Sequence, residues 1–146
     1  MVVESRVLHG GDAPELCALY ATYGWWEDRT PAQVERALEQ TDLAIGLVDD
    51  GECIAAARVI SDFTFYATVF DIIVHADRRG AGLGEQLVAE ILDRLEPTPL
   101  ERITLYCRDG LEPFYEAVGF ERAEKTIAIP EGGQERLLTM YYEYEN

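Results

Sequence analysis

Lysine and histidine are almost absent from this chain of 146 residues, which has 12 basic side chains against 28 acidic ones and a formal net charge of −16. Lys125 is the one lysine. A surface this negative repels nucleic acid and anionic membranes, so neither is expected as a partner. The two histidines, His9 and His75, stand far apart in the sequence. No metal site is therefore predicted.

The acidic excess is expected to affect stability as well as binding. Repulsion among carboxylates is suppressed at molar salt, where the Debye length falls to about 3 Å. The composition is typical of proteins from salt-accumulating cells, so we expect a halophilic source. We predict that the free energy of unfolding rises with KCl concentration up to the molar range, as measured by chemical denaturation. Full stability at tens of millimolar salt would contradict this prediction.

Cysteines and long apolar runs are also scarce. Cys17, Cys53 and Cys107 are odd in number and form no CxxC pair, which predicts reduced thiols in a cytoplasmic protein. No stretch approaches the roughly 20 apolar residues of a membrane span, and no amino-terminal pattern predicts secretion. The length predicts a single domain over residues 1–146 with a core of its own.

Strand-like and helix-like patterns follow one another along the chain in the order β-α-α-β-β-β-α-β-α-β-β, which indicates a mixed α/β fold. Strands are predicted at 2–9, 43–48, 53–60, 65–74, 102–107, 122–129 and 137–144. Helices are predicted to begin near Asp12, Thr30, Gly82 and Leu111. Asp12 with Glu15, and Thr30 with Gln33, have the spacing of capping boxes.

The most informative stretch joins the strand that ends at Val74 to the helix that begins near Gly82. It reads Arg79-Gly80-Ala81-Gly82-Leu83-Gly84. The amides of a glycine-rich turn and of a first helical turn have no partners of their own, and the helix dipole adds positive potential there. Such a junction is suited to phosphate binding. An ordinary strand-to-helix turn is the alternative.

Spacing separates this loop from two common nucleotide-binding loops. A P-loop ends in Gly-Lys-Ser/Thr, and the dinucleotide fingerprint needs a glycine where this chain has Glu85. The loop instead fits Arg/Gln-x-x-Gly-x-Gly/Ala. A second segment, Pro113-Phe114-Tyr115-Glu116-Ala117-Val118-Gly119-Phe120, follows downstream. Together the two segments resemble the pyrophosphate loop and the F-Y-x-x-x-G-F segment of the GNAT N-acetyltransferase family.

The resemblance covers essentially the whole chain and implies the GNAT fold, a central, mostly antiparallel, twisted sheet flanked by helices. It also implies that acetyl-CoA is the co-substrate and that a primary amine attacks its thioester directly. The strand before the loop would splay from its neighbour, and the backbone of Ile72, Ile73 and Val74 would pair with the pantetheine arm. The residues implied to hold the pyrophosphate are Arg79, Gly80, Ala81, Gly82, Leu83 and Gly84.

Two side chains are candidates for the chemistry. Tyr115 aligns with the family's tyrosine that protonates the departing thiolate, which suits a phenol of pKa ~10 and a thiol of pKa ~8.5. The alternative is a helix tyrosine that packs its ring. Asp71 interrupts an apolar strand at the same parity as Val69 and Ile73, where burial would disfavour a charged carboxylate. It is the candidate base, and the alternative is an aspartate that bonds backbone or fixes a substrate ammonium.

Aromatic residues gather in the predicted loop between the first two helices. The resemblance places Tyr23, Trp25 and Trp26 beside the acceptor pocket, where they would stack on an aryl or alkyl amine. Two adjacent indoles cannot both point into one helix-packed core, and a core role for one of them is the alternative. Three tyrosines of the last predicted strand fit the pocket, the core or a homodimer contact equally: Tyr141, Tyr142 and Tyr144.

Two positions depart from the family pattern. Ala76 replaces the usual proline after the strand, which is expected to loosen the start of the loop. Arg108 replaces an asparagine that often anchors the pantetheine arm. Three functions fit these residues: acetylation of a small-molecule amine, acetylation of a lysine or amino terminus in a protein or peptide, and CoA binding by a regulator without catalysis.

Overall fold

A computed structural model gives the architecture and describes residues 3–108, 110–128 and 136–142. The strands are β1 (Val3–Val7), β2 (Leu43–Asp49), β3 (Glu52–Ser61), β4 (Tyr66–Val74), β5 (Arg102–Arg108), β6 (Glu121–Ala128) and β7 (Arg136–Tyr142). The helices are α1 (Ala13–Tyr20), α2 (Pro31–Glu39), α3 (Leu83–Leu95) and α4 (Glu112–Ala117). The predicted order of elements is confirmed. Positions 129 and 143–144 of the last two predicted strands lie outside the described residues.

The strands form a seven-stranded sheet in the order β1-β2-β3-β4-β5-β7-β6. Neighbouring strands are antiparallel except β4 and β5, which run parallel. The connection between these two passes through α3, because a parallel pair needs a long crossover. The predicted mixed α/β class with a mostly antiparallel sheet is therefore confirmed.

The helices cover both faces of this sheet. One core cluster joins α3 to the sheet, and its members include Leu87, Ile91, Ile45, Leu47 and Ala57. A second cluster joins α1 and α2 to the sheet through residues such as Leu16, Leu38, Ala44 and Ala56. Because alternate residues of β2 and β3 enter alternate clusters, the two clusters lie on opposite faces. No described helix is long and apolar enough to cross a membrane.

The two predicted capping boxes have different outcomes. At the start of α2, the Gln33 amide donates to Thr30 Oγ1 at 3.2 Å and the Thr30 amide donates to Gln33 Oε1 at 2.9 Å, which confirms that box. The box predicted for Asp12 with Glu15 is wrong. A 3-10 turn over Gly10–Asp12 precedes α1, so Asp12 Oδ2 instead accepts from the amide of His9.

The parallel strands β4 and β5 separate at their carboxyl ends. They pair from Tyr66 with Arg102 as far as Val69 with Leu105. Beyond that point β5 goes on pairing with β7, whereas the edge of β4 over 70–74 that turns towards β5 has no strand partner in the described part of the chain. The splay implied by the family resemblance is present.

A β-bulge at Asp71 changes which face β4 presents to each core. Asp71 has a φ of 55°, and the register with β3 shifts there by one residue. Asp71 and Ile72 therefore stand opposite Ala57. Val69 packs in the α3 cluster, but Ile73 packs in the α1–α2 cluster. The predicted shared parity of Asp71 and Val69 is wrong, because the extra residue reverses the alternation along the strand.

Candidate active site

The loop between β4 and α3 leaves backbone exposed to a ligand. Gly80 and Gly82 have φ values of 82° and 77°, in the region that favours glycine. A Cβ at either position would meet no atom of the described part of the chain within 4 Å. The first hydrogen bond of α3 runs from the Gln86 amide to the Gly82 carbonyl, so the amides of 83–85 lie outside the helix's own ladder. The geometry fits a diphosphate, which needs several converging N–H donors.

Helix α4 packs directly against this loop. A Cβ on Gly84 would lie 2.9 Å from Phe114 Cζ, so the missing side chain is what lets α4 approach α3. The Phe114 ring stands edge-to-face on Tyr115, with centroids 4.9 Å apart. The two segments that carry the family resemblance therefore meet in space, although they are well separated in the sequence.

Tyr115 is buried beside this contact. Its ring also meets Phe120 edge-to-face at 6.2 Å, within the α3 cluster. Burial, with a smaller contribution from the neighbouring Cys107 on β5, raises the pKa of Tyr115 to about 12. Its hydroxyl has no hydrogen-bond partner among the described residues. Tyr115 is thus a neutral phenol at physiological pH, next to the half of β5 that diverges from β4.

Asp71 is bound by two arginines on the α1–α2 side of the sheet. Its Oδ2 accepts from Arg58 Nε at 3.0 Å, from Arg58 Nη2 at 2.8 Å and from Arg29 Nη1 at 3.0 Å. The Asp71 side chain is 13% exposed. Arg58 is anchored in turn, since its Nη1 donates to Thr41 Oγ1 at 3.1 Å. Two guanidinium groups and one carboxylate give this cluster a net charge of +1.

Arg29 lies over two aromatic rings that contact each other edge-to-face. Its guanidinium carbon lies 4.6 Å from the Tyr20 ring centre and 4.5 Å from that of Trp26. Burial raises the pKa of Tyr20 to about 12, so this ring partner stays neutral. A cavity of about 390 Å³ adjoins the stack, and it is lined by Tyr20, Arg29, Gln33, Val34, Ala37, Arg58 and Asp71.

The aromatic residues predicted for the acceptor side form one group. The Tyr23 and Trp25 rings lie 4.8 Å apart and the two indoles 6.2 Å apart. Trp26 packs against the α1–α2 core, whereas Trp25 is 52% exposed. The prediction that the two indoles cannot both point into the core is confirmed. Their contact with an acceptor stays a prediction.

Tyr23 connects this aromatic group to the phosphate loop. Its hydroxyl donates to the Val74 carbonyl at 2.5 Å and accepts from Arg79 Nε at 2.8 Å. The Arg79 guanidinium also lies 4.7 Å from the Tyr23 ring centre. Residues predicted for the acceptor side and for the diphosphate side are thus in direct contact. The Val74 carbonyl, one of the backbone groups predicted to pair with the pantetheine arm, already accepts a hydrogen bond from the Tyr23 hydroxyl.

Ala76 makes a backbone contact at the start of the loop. Its amide, which a proline would lack, donates to Thr22 Oγ1 at 3.4 Å. Residues Ala76–Arg78 form a 3-10 turn, and Arg78 Nη1 is paired with Asp49 at 2.9 Å. The start of the loop is therefore bonded to its surroundings on two sides, and a looser loop than one with proline stays a prediction.

Several predicted residues fall partly outside the described part of the chain. The side chains of Arg108 and Tyr141 lie outside it, as does the whole of Tyr144. Tyr142 packs against Phe120 with ring centroids 5.6 Å apart, at the edge of the α3 cluster. Tyr142 thus packs in the core, which is one of the three places predicted for these tyrosines.

Arg29 and Arg58 are functional candidates that the sequence analysis missed. Arg58 interrupts the apolar run of β3 just as Asp71 interrupts that of β4. Opposite charges that interrupt two successive apolar strands are a signal for a partly buried ion pair. Arg29 gives no such signal, because it lies in a polar loop and reaches Asp71 only through the tertiary fold.

Two comparisons of sequence bear on this site. A family model described as an acetyltransferase (GNAT) domain matches residues 24–129. An uncharacterized N-acetyltransferase, ycf52, of Pyropia yezoensis is 29% identical over 99 residues. That alignment covers 65% of this chain and 57% of the relative. The chain thus matches little more than half the length of this curated relative.

Solved structures share the whole architecture. The ribosomal-protein-S18-alanine N-acetyltransferase from Escherichia coli has a TM-score of 0.80 at 21% identity, covering 97% of this chain and 94% of that one. An aminoglycoside 6'-N-acetyltransferase complexed with coenzyme A has a TM-score of 0.80 at 15% identity, covering 98% and 97%. At these identities the likeness shows the fold. With a domain model matched over most of its length, the chain belongs to the GNAT acetyltransferase family.

Proposed function

We propose that this protein transfers the acetyl group of acetyl-CoA to a small-molecule primary amine. The observation that carries the proposal is the β4–α3 junction, where an unpaired strand edge meets two glycines of positive φ and the first-turn amides of α3. The diphosphate of CoA would bind the amides of the 79–84 loop. The pantetheine arm would follow the free edge at Ile72, Ile73 and Val74. Membership of the family supports acetyl-CoA as the donor.

In the proposed reaction a neutral amine attacks the thioester carbon directly, so the C–N bond forms, the C–S bond breaks and no acyl-enzyme is needed. The sulfur leaves with the electron pair of the broken bond and takes the proton of the Tyr115 hydroxyl. The nitrogen loses one proton, and Asp71 is its proposed acceptor. Passage of this proton through solvent to the Tyr115 phenolate would then restore both side chains. A main-chain N–H on the free edge of β4 would polarise the carbonyl oxygen.

The high pKa of Tyr115 limits how it can act. Its pKa is about 12, and proton transfer to a thiolate whose conjugate acid has a pKa of ~8.5 is uphill by roughly 5 kcal/mol. A separate release of the Tyr115 proton before the nitrogen loses one is therefore disfavoured by this amount. Tyr115 would instead donate a hydrogen bond to the sulfur as the C–S bond lengthens, and complete the transfer when the nitrogen is deprotonated.

A small acceptor is supported by the shape of the acceptor side. The cavity beside Asp71 has about 390 Å³, within the range of pockets that hold small molecules. Its walls come from α1, α2, β3 and β4 together with Arg29 in the α1–α2 loop. A cavity of this size can take up the whole of a small amine.

The test is acetyl-CoA turnover against a panel of small amines, lysine peptides and peptides with free amino termini, in molar KCl. Free thiol measures the rate, mass spectrometry identifies the product, and a reaction without acceptor measures hydrolysis. We expect thiol release that depends on a small amine. Transfer to peptides alone would assign the protein acceptor instead. CoA binding without transfer to any acceptor would leave the non-catalytic regulator.

A further inference from the structure

We infer that the cavity between α2 and the bulge of β4 selects a free amino acid, a molecule with both an amine and a carboxylate, as the acetyl acceptor. This rests on the proposed function and names the substrate class of the same site. The inference depends on three features of the cavity: an unused guanidinium edge, an unused carboxylate oxygen beside it, and an excess of positive charge.

The guanidinium edge belongs to Arg29. This side chain uses Nη1 for Asp71, and its Nε and Nη2 donate to no described residue. The guanidinium contacts the rings of both Tyr20 and Trp26, which touch each other edge-to-face with centres 5.2 Å apart. The side chain is 31% exposed, so a ligand can reach it. A planar Nε–Nη2 edge held in place is suited to two parallel hydrogen bonds with a carboxylate.

The carboxylate oxygen belongs to Asp71. All three hydrogen bonds from the arginines end on Oδ2, and Oδ1 accepts none from the described residues. Arg58 holds the carboxylate through two of these bonds, so the position of Oδ1 is set by the protein. An amine N–H could donate to this oxygen. Arg29 Nη1 lies 3.0 Å from Asp71 Oδ2. A carboxylate bound to Arg29 and an amine bound to Asp71 Oδ1 would therefore be close enough to belong to one small molecule.

The local charge decides between a plain amine and an amino acid. The charged residues that line the cavity are Arg29, Arg58 and Asp71, so the cavity carries +1 inside a chain of −16. A monocationic amine would enter a site that repels it. A zwitterion brings a negative group for the unused guanidinium edge, and the opposite charges then face each other.

The same cavity lies where the acceptor of the proposed reaction must be. Asp71 directly precedes Ile72, Ile73 and Val74, the free edge proposed for the pantetheine arm. An amine on Asp71 Oδ1 would thus approach the end of that arm from the α1–α2 face. Val34 and Ala37 give the cavity an apolar wall, and the volume of about 390 Å³ leaves room for an amino-acid side chain.

The experiment compares free amino acids with their own amides, which keep the amine and the side chain but lose the negative charge. The panel covers apolar, polar and charged side chains, with phenethylamine and isoamylamine as amines that lack the group altogether. We expect kcat/KM of the preferred acid to exceed that of its amide by about 10- to 100-fold, the range for losing charge-assisted hydrogen bonds. The amide's amine is the less basic one, so it is more often neutral and reactivity alone would favour the amide.

Variants and a binding measurement connect this preference to the cavity. Arg29→Gln is expected to bring the acid-to-amide ratio close to one. Arg94→Gln is the control, since Arg94 pairs with Glu90 within α3, and it should keep the wild-type ratio. Binding is measured without turnover by indole fluorescence in the presence of CoA, because Trp26 stacks on Arg29. The acid should change this fluorescence at lower concentration than its amide.

Three results would overturn the inference. Acid and amide acetylated equally well, or the amide preferred, would reject it while the proposed acetyltransferase function stands. Transfer to peptides alone would also reject it and move the function to a protein acceptor. No transfer to any amine, with CoA bound, would remove the inference and the proposed function together.

Discussion

Replacing Tyr115 with phenylalanine is expected to lower kcat by about 100-fold while CoA affinity and the melting temperature stay close to wild type. General acid catalysis contributes 10²–10⁴-fold, and the lower end applies because a thiolate leaves readily. The fold should tolerate the change, since the ring keeps its contacts with Phe114 and Phe120. Among the described residues, no partner of the hydroxyl is left unpaired. Single-turnover and steady-state assays at saturating acceptor measure the effect.

The matched control for this variant is Tyr106→Phe. Tyr106 lies on β5, the strand beside Tyr115, but it is exposed to solvent. Its hydroxyl is therefore expected to contribute nothing to kcat. Unchanged kcat in both variants would remove Tyr115 from the chemistry. A loss in Tyr115→Phe with equal loss in melting temperature would assign it to stability instead.

The pH dependence of kcat follows from the same burial. Because the pKa of Tyr115 is raised to about 12, the hydroxyl keeps its proton below that pH and loses it only above. The wild-type kcat is therefore expected to show no falling limb between about pH 8 and 10.5. A limb near the ordinary tyrosine value of ~10 that disappears in Tyr115→Phe would contradict a buried general acid.

The second large effect is expected for Gly82→Val, which should weaken CoA binding by about 100-fold, equivalent to one or two lost charge-assisted hydrogen bonds. The new side chain would occupy the open space over the α3 amino terminus, where no atom of the described residues lies within 4 Å of a Cβ. The φ of 77° also adds strain of roughly 1–2 kcal/mol. Calorimetric titration with CoA in molar KCl measures the affinity.

Gly51→Val separates these two effects. Gly51 has a φ of 80°, and a Cβ there would also meet no described atom within 4 Å. It lies, however, in the turn between β2 and β3. Both variants are expected to lose similar stability from backbone strain. Only Gly82→Val should lose CoA affinity. Equal affinity in the two variants would contradict diphosphate binding at the loop.

The parts of the molecule that could be predicted from sequence are those with a local signal. The 79–84 loop combines glycines at set spacing with a preceding β-branched run and a following helical period, so strand, turn and helix were all found within a few residues. The loop's contact with α4 depends instead on Gly84 meeting Phe114, and two separate motifs do not show that they touch.

The bulge at Asp71 could not be predicted, because it depends on pairing with β3 rather than on local sequence. An aspartate in an apolar strand indicates a special position, but a one-residue shift reverses the face. Two other contacts share this origin. Arg29 reaches Asp71 across 42 residues and Tyr23 reaches Arg79 across 56, and each pairing is set by how the α1–α2 loop folds over the end of β4.

Backbone amides at the β4–α3 junction are proposed to bind the diphosphate of CoA, and every proposed step of the reaction depends on that binding. Titration of ¹⁵N-labelled protein with CoA in molar KCl tests it directly, because each amide reports its own surroundings. We predict saturable shifts that are largest for the amides of 79–85 and of Ile72, Ile73 and Val74, and that are lost in Gly82→Val. No change at high CoA concentration, or shifts confined to other parts of the chain, would contradict the proposed site.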